Sequence, residues 1–273
     1  MNQLRQTLEV VHSPRQRVRE PVVHATHRDP TILRRRSFTL KMCCDFRIPS
    51  DLMTKLWSDA DHLVDCGTPL KNGDTTTVVR IDAAENLRLE KSWMLKRYNQ
   101  RGLFYTAGHL LSRSRAERNW TYGRRLCSNG ISSPRPTAFL ECRVGPFQTR
   151  SYLLTEYISG LPLNEFVQRA KPSGPVLDKL CCEFQRIWNR LGVLRMSHGD
   201  MKATNFLVSE DTQLWLIDLD GMRTHHLKPK FHLARERDWN RFLRNWQSEP
   251  SIVSAFVNTV NHSRRRFPPE TKT

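Results

Sequence analysis

Between Ser197 and Gly221 the chain reads SHGDMKATNFLVSEDTQLWLIDLDG. A hydroxyl attacking a phosphoryl group needs a carboxylate to orient it, a cation near the transferred group, and hard oxygens for Mg²⁺. Asp200, after His198-Gly199 on a loop, is the candidate base. Lys202 is placed to neutralise charge developing on the transferred group. Asn205, five residues after Asp200, offers a neutral oxygen to the metal, and Asp218 offers a carboxylate. The intervening FLVSEDTQLWLI reads as strand, turn at Glu210-Asp211, and strand, a hairpin that returns Asp218 to the side of Asn205. Asp220 either adds a ligand or caps the turn with Gly221, and we assign it to the turn.

These residues need a scaffold. Upstream, Val176, Leu177, Leu180, Phe184, Ile187, Trp188 and Leu191 repeat at three and four, so Val176 to Leu194 is predicted to be a core helix that delivers the HGD loop. Downstream, RERDWNRFLRNW is a second amphipathic helix, and FVNTVNHSRRRFPPETKT then fades into a basic, Pro-containing tail. Nearer the N-terminus, SDLMTKLWSDADHL (50–63) predicts a short helix, and Thr75 to Ile81 after the Asn72-Gly73 turn predicts a strand. A further strand, LRLEKSWMLKRYN, carries Lys96 near its end. SRSRAERNWTYGRRLCSNG follows as a helix closed by Asn129-Gly130, with Glu117 on it, 21 residues after Lys96. Glu117 either pairs with Lys96 or with Arg113 or Arg124 on its own helix, and we assign it to Lys96. Two more strands, 136–142 and 151–158, turn near Gly145-Pro146, and the second runs into the bend TEYISGLPL.

The 273 residues suffice for one large domain or two lobes. The hydrophobic fraction is 38% and the mean hydropathy −0.59, which fits a folded enzyme with polar ends. Seven cysteines without C-x-x-C or zinc spacing read as reduced thiols. No apolar run approaches the ~18–20 residues of a membrane span, and MNQLRQTLEVVHSPRQR lacks a secretory core, so a cytoplasmic protein is expected. A net charge of +17 selects polyanionic partners: nucleic acid, an anionic membrane face, or a phosphorylated glycolipid. No helix-turn-helix, zinc-finger or RNP pattern accompanies it, so no specific nucleic acid is expected.

With these residues assembled, the chain resembles the protein-kinase-like superfamily, whose catalytic loop places Asp and Asn at the same interval. LKRYN (95–99), AERNW (116–120), GISSPRP (130–136), SHGDMKATNFLV (197–208), LIDLDG (216–221) and RDWNRF (237–242) are similar to the bacterial lipopolysaccharide core kinases, which phosphorylate heptose or Kdo sugars. The resemblance implies an α+β, two-lobed protein-kinase-like fold, with a small β-rich N-lobe at 37–158 and a mainly helical C-lobe at 159–262. It implies ATP with Mg²⁺ as cofactors and a glycolipid sugar hydroxyl as acceptor, worked on by a peripheral monomer at the cytoplasmic face of the inner membrane. Lys96 is implied on the phosphates with Glu117 behind it, Asp200 as base, and Asn205 and Asp218 on metal. Gly73 lies in the nucleotide-loop turn. Glu156, Tyr157 and Ile158 form the linker, where main chain meets adenine. Outside the lobes, residues 1–36 are expected to be a basic tail, either disordered or an arm on anionic lipid, and 263–273 a second basic tail.

Departures from protein kinases narrow the acceptor. Gly199 replaces the loop Arg, Asp218-Leu219-Asp220 replaces D-F-G, and no A-P-E follows. These features argue for a small or lipid-linked acceptor over a regulated peptide kinase. A lone Gly73 in place of G-x-G-x-x-G leaves the phosphate contacts of that turn open. Two alternatives stay in play: an HGD-type small-molecule or antibiotic phosphotransferase, and a catalytically weak kinase-like scaffold for anionic partners. A charge of +17 repels a polycationic aminoglycoside and attracts an anionic glycolipid.

Overall fold

A computed structural model of the chain describes residues 23–26, 29–83, 90–99, 113–145 and 147–266. Among the described residues, eight strands form one antiparallel sheet. They are β1 (Val23–Thr26), β2 (Asp29–Arg36), β3 (Leu40–Asp45), β4 (Thr68–Gly73), β5 (Thr76–Ile81), β6 (Trp93–Tyr98), β7 (Pro136–Val144) and β8 (Phe147–Glu156). Their spatial order is β1-β2-β3-β7-β8-β6-β5-β4. The expected strands at 75–81 and 136–142 are present within a residue or two, and the one expected at 151–158 runs from Phe147 to Glu156, starting four residues earlier, while Leu87 and Leu89 of the Lys96 strand lie outside the described residues.

The expectation of a tail through residue 36 fails for its second half. Thr31, Leu33 and Arg35 alternate with Ile32, Arg34 and Arg36 along β2, and the strand pairs with β3 over Ile32 to Arg36. Buried Ile32 anchors it, and the Arg-rich composition hid this period-two pattern. Residues 1–22 lie outside the described residues.

Both faces of the sheet are covered. The expected helix over 50–63 is two helices, α1 (Ser50–Ser58) and α2 (Ala60–Cys66). The break falls at Asp59, whose backbone leaves the helical region (φ −156°, ψ 75°) and whose carboxylate accepts from the His62 N–H at 3.0 Å, capping α2. Leu52, Leu56, Leu63 and Val64 pack against Val79, Leu95, Leu140 and Leu154. On the other face lies α3 (Arg115–Ser128), capped by the Ser114 hydroxyl accepting from the Glu117 N–H at 2.9 Å. Trp120 of α3 meets Phe139 edge-on.

After the sheet come β9 (Leu161–Pro162), α4 (Leu163–Ala170) and α5 (Gly174–Val193), the predicted core helix. Then follow β10 (Met196–Ser197), the hairpin β11 (Phe206–Val208) and β12 (Leu214–Leu216), β13 (Arg223–Thr224), and α6 (Lys228–Leu243). The chain does not fade there: α7 (Pro250–Arg266) adds a helix whose Ile252, Phe256 and Val260 are buried. Phe242 of α6 stacks on Phe184 of α5 at 4.2 Å, and Phe256 closes the cluster edge-on to both. A β-rich half thus precedes a helical half in a protein-kinase-like fold. Among the described residues, no helix is long and apolar enough to cross a membrane.

Candidate active site

The HGD loop follows β10 and is held from below by α6. Asp238 is buried, and its carboxylate accepts the N–H groups of His198 at 2.6 Å and Gly199 at 2.9 Å. Burial pushes this carboxyl above the ordinary range, and the N–H donors from His198, Gly199 and Met201 offset that only in part. The Asp238 side chain therefore sets the path of the loop backbone. The His198 ring is fully buried, and its Nε2 lies 3.0 Å from the Ile217 carbonyl. A carbonyl only accepts, so Nε2 carries the proton and ties the loop to the residue before Asp218.

Gly199 takes φ +79°, and a Cβ there would lie 2.5 Å from the Gly221 carbonyl oxygen. Gly221 is as confined: its Cβ would stand 2.7 Å from the His198 carbonyl oxygen. The HGD and IDLDG segments therefore touch backbone to backbone, an approach that side chains would forbid. This is the local reason both glycines flank the acidic residues.

Asp200 emerges from that loop half-buried. Lys202 Nζ is 3.1 Å from its Oδ2, and Arg241 Nε of α6 is 2.7 Å from its Oδ1, a charge contact without hydrogen-bond alignment. Lys202 thus sits on the candidate base, and Arg241, not singled out in the sequence, joins it. Asn205 donates from its side-chain nitrogen to the Asp200 carbonyl at 2.7 Å. The Asn205 carbonyl in turn accepts the Ile217 N–H at 2.9 Å, and Phe206 pairs with Leu216. The hairpin does bring Asp218 back beside Asn205. Asp218 occupies the left-handed region, φ 55° and ψ 65°, unusual for a non-glycine residue and a mark of a constrained site.

A magnesium nucleotide fits this donor set. With its nitrogen committed to Asp200, Asn205 has its oxygen left to offer, and Asp218 adds a carboxylate: two hard oxygens, leaving other positions for phosphate and water. A cleft beside them is lined by Met94, Lys96, Asn119, Thr155, Ile217 and Asp218.

Lys96 stands on β6, and its amine is largely buried. The predicted partnership with Glu117 is not formed. Lys96 Nζ instead lies 2.9 Å from Asp218 Oδ1 and 3.2 Å from Asp220 Oδ2. Glu117 points to Lys41 of β3, at 2.9 Å, and Lys41 also lies 3.4 Å from the buried Glu141. Helix geometry sets these partners. Arg115 and Asn119 are one turn apart on the face toward Asp220, whereas Glu117 is about 200° around from Arg115.

Asp220 is likewise not a simple turn cap. Its Oδ2 accepts from Arg115 at 2.5 Å as well as from Lys96, and its Oδ1 accepts from Asn119 at 2.7 Å and the Tyr98 hydroxyl at 3.0 Å. Burial alone would raise its carboxyl; the charges of Lys96 and Arg115 overcome this and hold it at about 2. The same burial, together with the Asp220 charge, pushes the Tyr98 hydroxyl well above its usual value.

At the far end of the cleft, the Glu156 N–H donates to the Arg135 carbonyl and the Tyr157 N–H to the Ser92 carbonyl. The Glu156 carboxylate pairs with Lys91 at 2.6 Å. Among the described residues, no hydrogen bond engages the Ile158 N–H. Gly73 ends β4 at the turn into β5, and its carbonyl accepts from Asn99 at 3.3 Å. A Cβ at Gly73 would make only an ordinary contact, so the fold itself does not demand glycine there.

Residues 73–260, well over half the chain, match the Lipopolysaccharide kinase (Kdo/WaaP) family. Two relatives named 3-deoxy-D-manno-octulosonic acid kinase, from Xylella fastidiosa strains 9a5c and M12, are each 28% identical over 152 residues, covering 56% of this chain and 57% of the relative. A serine/threonine-protein kinase rio2 of Dictyostelium discoideum is 26% identical over 127 residues, 46% of this chain and 22% of that protein. The chain thus spans less than three fifths of the length of each of these relatives. A match of this extent, on a fold of this order and around a loop of this geometry, places the chain in the Kdo/WaaP lipopolysaccharide kinase family.

Proposed function

We propose that the protein transfers phosphate from ATP to a sugar hydroxyl, Kdo or heptose, of the lipopolysaccharide inner core. The observation that carries this reading is the convergence of Asp200, Asn205 and Asp218 at one end of a cleft that also holds Lys96, in a chain of this family. Asp200 orients the acceptor hydroxyl and takes its proton. Lys202 and Arg241, both on Asp200, are placed to offset charge as the phosphoryl group moves. Lys96 turns to the phosphates, and the Glu156 and Ile158 main chain meets adenine. Asn205 and Asp218 would hold Mg²⁺, which when bound neutralises phosphate charge.

The +17 charge and one end of the sheet support work at an anionic membrane face. Phe38, 91% exposed, tips the β2–β3 turn beside Arg36, while Val144 and Phe147 flank the β7–β8 turn. The Arg143 N–H donates to the Thr39 carbonyl at 2.8 Å, so the two turns are neighbours. The β4–β5 turn with Gly73 lies at that same end by strand register. An apolar tip ringed by arginine suits anionic lipid, and it would set the nucleotide end of the cleft toward the membrane.

The test is ATP turnover with Kdo-lipid, heptose-lipid, an aminoglycoside and a peptide as acceptors. Turnover on a core glycolipid is expected. Turnover confined to the aminoglycoside or the peptide would contradict the proposal.

A further inference from the structure

We propose that Asp220 is the carboxylate that anchors Lys96 for the nucleotide, held in place by Arg115 and Asn119 of α3, so that the anchor comes from the IDLD segment and not from the helix. This rests on the kinase reading above. In the usual protein-kinase arrangement, a lysine on the corresponding strand is held by a helix glutamate. Here the helix face that meets the cleft carries Arg115 and Asn119, a cation and a neutral amide. Neither can serve as an anion for Lys96. The helix's one acid near that point, Glu117, is turned to Lys41.

Lys96 has two carboxylates within reach, and only one can stay with it. Asp218 is the residue placed to bind metal beside Asn205, and a metal would claim the oxygen that Lys96 now contacts. Asp220 is better committed. Four side-chain donors, from Lys96, Arg115, Asn119 and Tyr98, fix both its oxygens, and Arg118 also donates to its carbonyl at 3.0 Å. Tyr98 lies two residues after Lys96 on the same face of β6, so strand and helix grip Asp220 from two sides. The Arg115 guanidinium covers the Tyr98 ring at 4.6 Å and closes that grip. When Asp218 turns to metal, Lys96 remains held by Asp220. Asp220 touches neither acceptor nor metal in this scheme and is a positioning residue.

The experiment relocates the charge. Binding of ADP and ATP is measured by calorimetry, and acylation of Lys96 is followed by peptide mass spectrometry in nucleotide-free protein carrying Asp218→Asn throughout, which removes the other carboxylate within reach of the amine. In Asp220→Asn, nucleotide affinity should fall about tenfold and Lys96 acylation should rise several-fold as the amine loses its anchor. Asn119→Glu combined with Asp220→Asn returns a carboxylate to the helix face, and both readouts should recover to within about threefold of the starting protein. Glu117→Gln should leave both within about twofold. The proposal is overturned if Glu117→Gln causes the tenfold loss, or if Asp220→Asn leaves Lys96 acylation unchanged. It is also overturned if the relocated variant folds and recovers neither readout. Should Asp220→Asn alone not fold, the relocated variant and Glu117→Gln still decide the matter. A protein that binds no nucleotide would refute the kinase reading, while Lys96 acylation would still report on its pairing with Asp220.

Discussion

Replacing Asp238 by Asn tests whether α6 sets the catalytic loop. Of the backbone N–H groups that meet the Asp238 carboxylate, those of His198 and Gly199 donate at 2.6 and 2.9 Å in a buried setting. A hydrogen bond to a charged group contributes ~1.5–3 kcal/mol, and a buried donor left unmet costs ~1–3 kcal/mol. Asn keeps one acceptor oxygen and turns an amide N–H against the second donor, so one of the two bonds is lost outright. Part of that is returned, because burial disfavours the carboxylate that Asn replaces. The net loss works out at about 2–3 kcal/mol, which lowers Tm by roughly 4–12 °C in a chain of this size. The effect on turnover is larger, since a misplacement near 1 Å at a catalytic group costs about 10²-fold. Calorimetry and a steady-state ATP assay at fixed acceptor measure both. A Tm within about 2 °C of the parent and turnover within about threefold would show that Asp238 does not set the loop.

Three further outcomes follow from particular contacts. Gly199→Ala forces a Cβ to 2.5 Å from the Gly221 carbonyl at φ +79°, so it should lose at least ~2 kcal/mol of stability by denaturant unfolding, while Gly73→Ala should lose under ~1 kcal/mol. Asp220, with its carboxyl held at about 2, binds its proton less readily folded than unfolded. Its contribution is therefore complete above the ordinary carboxylate value near 3.8 and is lost as pH falls from there toward 2, about 2 kcal/mol in all. Asp220→Asn should flatten that acid limb in a stability–pH series, and an unchanged limb would contradict the assignment. Finally, serine at Phe38, Val144 and Phe147 together should weaken binding to vesicles containing anionic lipid by tenfold or so without shifting Tm, and sedimentation that shows equal binding would remove the hairpin tips from the membrane contact.

Much of the architecture was legible because apolar periodicity is strong where the core is thick. The α5 heptad-like run and the alternation in β5, β7 and β8 announce themselves through Leu180, Phe184 and Leu191, and through Val79, Leu140 and Leu154. The catalytic loop was legible because its residues are close in sequence, and the hairpin linking Asn205 to Asp218 is short. What failed were contacts set by helix phase and by distant packing. Glu117 and Asn119 differ by two positions, and only the seating of α3 on the sheet decides which of them meets the cleft. Asp220 looks like a turn residue until Tyr98, Arg115 and Asn119 arrive from far along the chain. Asp238 sat in RDWNRF, a segment whose aromatic residues drew the eye to packing, and an acid in the middle of an apolar helix face was the available signal. The strand β2 was hidden by Arg34, Arg35 and Arg36, which a strand near the sheet edge tolerates because the long side chain reaches solvent while the backbone pairs.

Asp200 is the residue on which the proposed transfer depends most directly. Phosphate transfer from γ-labelled ATP to purified inner-core glycolipid is measured for the parent protein and for Asp200→Asn, with ATP affinity determined in parallel. Transfer by the parent is expected, with a drop of ~10²–10⁴-fold in the variant and ATP binding retained within about threefold. Near-parental transfer by Asp200→Asn would remove Asp200 from the role of base.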